Sequence, residues 1–279
     1  MTFWDLAVLP FQFGFMQKAF LIGVIVAIPA ALLSCFLVVR GWALMGDAVS
    51  HAILPGVVIA YILGVPLLLG AFVAGMICAM LTGYFIQNSR VKPDTIMGVV
   101  FSGMFGLGLV IYIAIDSDLH LDHILFGNIL GIGRGDLIMA LIISLGVSIG
   151  LIAKSKDLLL FSFDAIQART AGLSVSVLYY GLLAAMTLTV VATLSATGLI
   201  LAIGLMIAPG AIAFLLVRRF STMLMVAVGV AILAMAIGIY SSFFLDSAPA
   251  PTIIMVFSLM FILAFLAKIS RQHRAERAL

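Results

Sequence analysis

The chain has 279 residues, 65% hydrophobic and 9% charged, with a mean hydropathy of +1.35 and a formal net charge of +3. Soluble globular domains carry about 25% charged residues, so this composition excludes that class, excludes disorder, and describes a polytopic membrane protein. Cys35 and Cys78 both lie in apolar runs, where a thiol acts as a small hydrophobe, and they give neither a disulfide framework nor redox chemistry.

The opening residues MTFWDLAVLPFQFGFMQ hold no Lys or Arg ahead of an apolar run, so no cleaved signal peptide is expected and the N-terminus is expected to be retained. A spanning helix needs about 20 mainly apolar residues. That ruler predicts nine spans, at 18–39, 44–64, 66–88, 94–115, 135–153, 175–194, 198–217, 222–244 and 252–268, or eight if one tight hairpin is re-entrant. No Gly/Ser-rich or Pro-rich linker divides them, which predicts a single transmembrane domain over 1–279, an all-α polytopic helical bundle.

Positive side chains are retained on the cytoplasmic side. With the N-terminus outside, the inner connections hold Arg40, Arg90, Lys92, Lys154, Lys156, Arg169, Arg218, Arg219, Lys268, Arg271, Arg274 and Arg277, leaving only Lys18 and Arg134 outside. The C-terminus is then cytoplasmic. The net charge is a topogenic signal and calls for no nucleic-acid partner.

The second span carries the sharpest anomaly, Asp47 and His51 with Ser50 between them, in a run that is otherwise hydrocarbon. Asp47 is the one acidic residue well inside a predicted span, and His51 is the one intramembrane histidine; Asp94, after Pro93, is expected to cap a helix start. Ionisable groups at membrane depth are costly and mark function. Residues i and i+4 share a helical face, so a carboxylate oxygen and an imidazole nitrogen can converge on one cation. Hard oxygen with borderline nitrogen suits Mn2+, Fe2+ or Zn2+ and suits Cu(I) poorly. A satisfied Asp–His pair that only stabilises the bundle and a titrating pair in a proton-coupled carrier are the competing readings. Two ligands leave a coordination sphere incomplete, which predicts a second subunit supplying another Asp and His across a dimer axis.

Further along, Ala71 with Gly75, and Gly98 with Ser102 and Gly106, place small residues on one helix face, a pattern of close helix packing. The fifteen methionines are scattered and read as core filler. In the outer connections, Asp116, Asp118, His120, Asp122, His123 and Asp246 form an anionic mouth that concentrates cations, with a solvated loop as the plainer reading. The inner segment at about 157–173 is too polar to span. Within it Asp164 reads as an N-cap, Ala165 to Ala171 as two short turns, and Gly172 as a helix stop. In the seventh span, Pro209 with Gly210 predicts a broken or kinked helix that either lines a pathway or packs. No G-x-x-x-x-G-K-[ST] loop is present, so the chain is not itself an ATP-hydrolysing enzyme.

The run Gly46-Asp47-Ala48-Val49-Ser50-His51-Ala52-Ile53-Leu54-Pro55-Gly56 resembles the signature in membrane subunits of the bacterial ABC-type manganese, iron and zinc importers. Phe163-Asp164, Ala168-Arg169 and Gly172-Leu173 resemble that family's coupling helix. Asp94-Thr95 with Gly98, the Leu125-Phe126-Gly127 run, the Gly204 to Ala211 stretch and Asp246-Ser247-Ala248-Pro249 match in order, so the resemblance covers nearly the whole chain. The histidine motif and LDHILFGN are most similar to the manganese and chelated-iron branch. Gly210 departs from the Pro-Ala-Ala of many relatives.

This resemblance implies a permease subunit of the bacterial cytoplasmic (inner) membrane. Asp47 and His51 would be pathway metal ligands, and Phe163, Asp164, Ala168, Arg169 and Gly172 would couple to a separate ATPase. Its implied partners are two copies of an ATP-binding ABC subunit, an extracytoplasmic metal-binding protein, membrane lipid, and a second copy of itself or a paralogous permease. The transported ion is Mn2+ or Fe2+, with Zn2+ also compatible, and no cofactor is bound permanently. Ser50, Pro209, Asp118, His120 and Asp246 are candidate pathway or outer-mouth residues.

Overall fold

The computed structural model describes residues 3–114, 129–131 and 133–276, and all regular structure among them is helical. In chain order the helices are α1 (Phe3–Gln12), α2 (Gly14–Arg40), α3 (Ala43–Ala52), α4 (Leu54–Leu63), α5 (Leu67–Asn88) and α6 (Pro93–Ile113). After a 3-10 turn at Ile129–Gly131 come α7 (Arg134–Ala153), α8 (Ser155–Phe163), α9 (Ala165–Thr170), α10 (Val175–Thr197), α11 (Leu199–Leu216), α12 (Phe220–Leu245) and α13 (Pro249–Glu276). Among the described residues nine segments are long and apolar enough to cross a membrane: Gly14–Arg40, Leu44–Leu63, Leu67–Ile86, Thr95–Ile113, Arg134–Ala153, Val175–Leu194, Leu199–Leu216, Phe220–Leu245 and Pro249–Ser270. The expected all-α transmembrane bundle is therefore present, with its span ends displaced by a few residues. The outer-loop residues Asp116, Asp118, His120, Asp122 and His123, the Leu125-Phe126-Gly127 run, and the side chain of Asp94 lie outside the described residues.

Helices are the natural solution here because hydrocarbon offers no water to backbone amides, and a helix satisfies them within one segment. Proline is placed to respect this. Pro55 and Pro93 stand in the first turns of α4 and α6, where the missing N–H is an orphan anyway. The second span is consequently two helices. It breaks at Ile53, because Pro55 has no N–H to return to the carbonyl of His51.

The core is built around α2, which packs against α7, α10, α11 and α12 and is buried without interruption from Pro29 to Leu37. Of the broken or kinked helix expected at Pro209, the break is absent: α11 runs continuously through it, and Pro209 is buried. Gly210 has a packing role. A Cβ there would lie 2.6 Å from the carbonyl carbon and oxygen of Ser34, so α2 and α11 cross at a spacing only glycine allows.

The two small-residue stripes behave differently. Ala71 is buried and a Cβ on Gly75 would meet Thr187 Cγ2 at 2.7 Å, which is close packing of α5 on α10. On α6, by contrast, a Cβ on Gly98 or Gly106 would meet nothing within 4 Å, and Ser102 is exposed. Close packing of that stripe is not made by the described residues. Cys35 and Cys78 are buried free thiols, as expected of small hydrophobes.

Candidate metal site and coupling segment

Asp47 and His51 stand one turn apart on α3, and Asp47 Oδ1 lies 3.4 Å from His51 Nε2. Both are partly open, at 36% and 24% side-chain exposure, while Ala48, Val49, Ser50 and Ala52 around them are buried. One face of α3 is thus sealed into the bundle and the other presents a carboxylate and an imidazole. The Ser50 hydroxyl donates to the Gly46 carbonyl at 2.7 Å and is buried, so it is satisfied within its own helix.

The position of the imidazole is set by α6. His51 packs 5.1 Å from Phe101 and 5.5 Å from Phe105 between ring centroids, edge-on to the second. Its Nδ1 is buried with no hydrogen-bond partner among the described residues. A ligating histidine is commonly oriented by a hydrogen bond from its second nitrogen. Here two aromatic rings do that instead. The approach of α6 depends on Gly108, where a Cβ would fall 2.7 Å from the Pro55 nitrogen. Phe101 and Phe105 carry a legible signal, an aromatic pair at i and i+4, but their direction towards His51 is a tertiary fact that spacing cannot supply.

No group of three or more His, Cys, Asp or Glu side chains able to hold a metal occurs among the described residues. Among the described residues, the open face of α3 presents one carboxylate and one imidazole. Beside Phe101 and Phe105 on α6 runs the unpacked Gly98, Ser102 and Gly106 face.

The inner segment takes the expected form. Asp164 Oδ1 accepts from the backbone N–H groups of Ile166 at 2.8 Å and Gln167 at 3.0 Å, capping α9. Gly172 ends it at φ 81°, with Leu173 N–H donating to the Ala168 carbonyl at 3.0 Å in a Schellman-type closure. Ala168 is fully buried and anchors the turn, whereas Arg169, Phe163 (72% exposed) and Ile166 (78%) point outward. Ile166 is a surface residue that sequence reasoning missed. Asp246 is exposed and holds a left-handed conformation at φ 49° as the C-cap of α12, a local role that aspartate tolerates.

Residues 12–268 match the ABC 3 transport family. The chain belongs to this family. Among its relatives, the chelated iron transport system membrane protein YfeD of Yersinia pestis is 49% identical over 257 residues, 92% of this chain and 86% of that protein. The manganese transport system membrane protein MntB of Synechocystis is 41% identical over 264 residues, 95% of this chain and 86% of that one. Among solved structures, PsaBC from Streptococcus pneumoniae in complex with Fab superposes with a TM-score of 0.82 at 32% identity, covering 91% of this chain and 92% of that one. As an ABC 3 transport family member with nine apolar spans, the chain is a multi-pass permease of the bacterial inner membrane.

Proposed function

We propose that this chain is the membrane-spanning subunit of an ATP-driven importer of a divalent transition metal, Mn2+ or Fe2+ in preference to Zn2+, with the ion passing Asp47 and His51 at a dimer interface. The observation that carries the reading is the Asp47–His51 pair itself: 3.4 Å apart, partly open, and set on a span whose opposite face is sealed. A carboxylate and an imidazole with no third such ligand grouped with them among the described residues suit an ion that must be bound weakly enough to leave. Mn2+ and Fe2+ favour about six hard ligands, and a two-fold related copy would contribute a second Asp and His, with water completing the sphere. The open Gly98, Ser102 and Gly106 face of α6 beside the site is where that copy, or a paralogous permease, would pack. The names of the manganese and chelated-iron relatives favour the same ions.

Energy would come from two copies of a separate ATP-binding subunit docked on the exposed Phe163, Ile166 and Arg169 around α9, at the cytoplasmic side, and an extracytoplasmic metal-binding protein would deliver the ion. The test is uptake of labelled Mn2+, Fe2+ and Zn2+ by vesicles holding the permease with its ATP-binding partner. Uptake of Mn2+ or Fe2+ that requires ATP supports the importer. Uptake driven by a pH gradient without ATP would replace it with a proton-coupled carrier in which Asp47 and His51 titrate.

A further inference from the structure

Arg40 ends α2 at the cytoplasmic side and has so far figured only as a positive charge that orients the chain. Its surroundings are more specific than that role requires. The guanidinium lies 3.9 Å from the centroid of the Phe161 ring and 4.2 Å from that of Trp42, and Nη1 donates to the Phe161 carbonyl at 2.7 Å. Trp42 in turn meets the Tyr179 ring edge-on, with centroids 5.7 Å apart.

The chain positions of these partners are the informative part. Phe161 lies two residues before Phe163 on the last turn of α8, which leads into α9, and Tyr179 lies on the first turns of α10, just after α9 leaves. Both flanks of the α9 segment are therefore held by residues at the short α2–α3 connection. That connection is Gly41 and Trp42, entered from Arg40 at the end of α2. Gly41 is its pivot, at φ 74°, and Trp42 is the N-cap of the helix bearing Asp47 and His51. This grip gives a displacement of α9 a stiff route to α3, because a cation held against two rings with a charge-assisted hydrogen bond resists shear better than aliphatic packing. The Tyr179 hydroxyl sits directly over Gly83, where any Cβ would collide with it, so the downstream flank is braced against α5 as well.

We propose that Arg40 is a positioning residue for transport, transmitting movement of the α9 segment to the Asp47–His51 helix through Trp42, Phe161 and Tyr179. It touches no metal; it acts on where α3 stands. The proposal rests on the importer reading, since it needs a motor at α9 and a cargo at α3.

The experiment measures metal moved per ATP hydrolysed in vesicles holding the full complex, with Mn2+ as the probe. Arg40→Met keeps the length and apolar contact of the side chain and removes the charge and the donor. It is expected to lower the ratio by about fivefold or more, the lower range of an ordinary coupling between sites, while ATP hydrolysis continues and the complex assembles. Arg40→Lys restores one donor and one cation–ring contact, and is expected to fall between the two. If Arg40→Met does not assemble, Tyr179→Leu reads the same grip from its other flank. An unchanged ratio in an assembled variant, or a parallel fall in uptake and hydrolysis, overturns the proposal. An unmodified complex that shows no ATP-driven uptake overturns the importer reading instead, and that outcome is separate because it needs no variant.

Discussion

The imidazole of His51 lies edge-on to the Phe105 ring, with centroids 5.5 Å apart and planes at 85°. With Phe101 also against it, the ring is held by π contact from α6, which leaves Nε2 directed at Asp47. Aromatic contacts of this type contribute about 0.5–1.5 kcal/mol each. Phe105→Ala is therefore expected to raise the apparent Kd for Mn2+ uptake by about two- to tenfold, leaving assembly intact. Uptake titrated against free metal checks this, and Phe105→Leu, which fills the space without the ring, should recover little.

Gly210→Ala tests the α2–α11 crossing. The added methyl would land 2.6 Å from the Ser34 backbone, which cannot rotate aside. Overpacking of this type costs about 1–3 kcal/mol, so the variant should show a lower melting temperature in detergent and a reduced folded yield.

Gly98→Ala should behave in the opposite way. A methyl on Gly98 has open space around it among the described residues and removes a helix-weakening glycine, so thermal stability of the isolated subunit should hold or rise slightly. If a second permease packs on this face, association of the two subunits should weaken, which cross-linking or native mass spectrometry of the complex would report.

Asp164 caps α9 with two backbone N–H bonds. Replacing such a cap by alanine costs about 1 kcal/mol, enough to fray a six-residue helix. Asp164→Ala is expected to loosen binding of the ATP-binding subunit, and Asp164→Asn, which keeps the acceptor, to retain it. Co-purification of the two subunits measures the difference.

Much of this was legible in the sequence for physical reasons. Spans are set by composition over about 20 residues, and the Asp164 cap and the Gly172 stop are set by local backbone chemistry, so both follow from residues near in the chain. The Asp47–His51 pairing is likewise local, one helical turn. What could not be read is long-range. These spans are apolar on every side, so the sequence does not say which face of α6 meets His51, that Arg40 meets Phe161, or that α6 leaves its small-residue face open. The continuity of α11 through Pro209 is similar: neighbouring helices enclose the freed backbone group, a compensation that only the assembled bundle reveals.

The central claim, that Asp47 and His51 carry the metal, is tested most directly by ATP-driven uptake of labelled Mn2+ and Fe2+ in vesicles bearing the assembled complex with Asp47→Ala or His51→Ala. Loss of even an outer-shell partner typically costs about 10- to 100-fold in metal affinity. Each variant should therefore assemble, retain ATP hydrolysis and lose uptake at low metal concentration. Normal uptake by both variants would contradict the account.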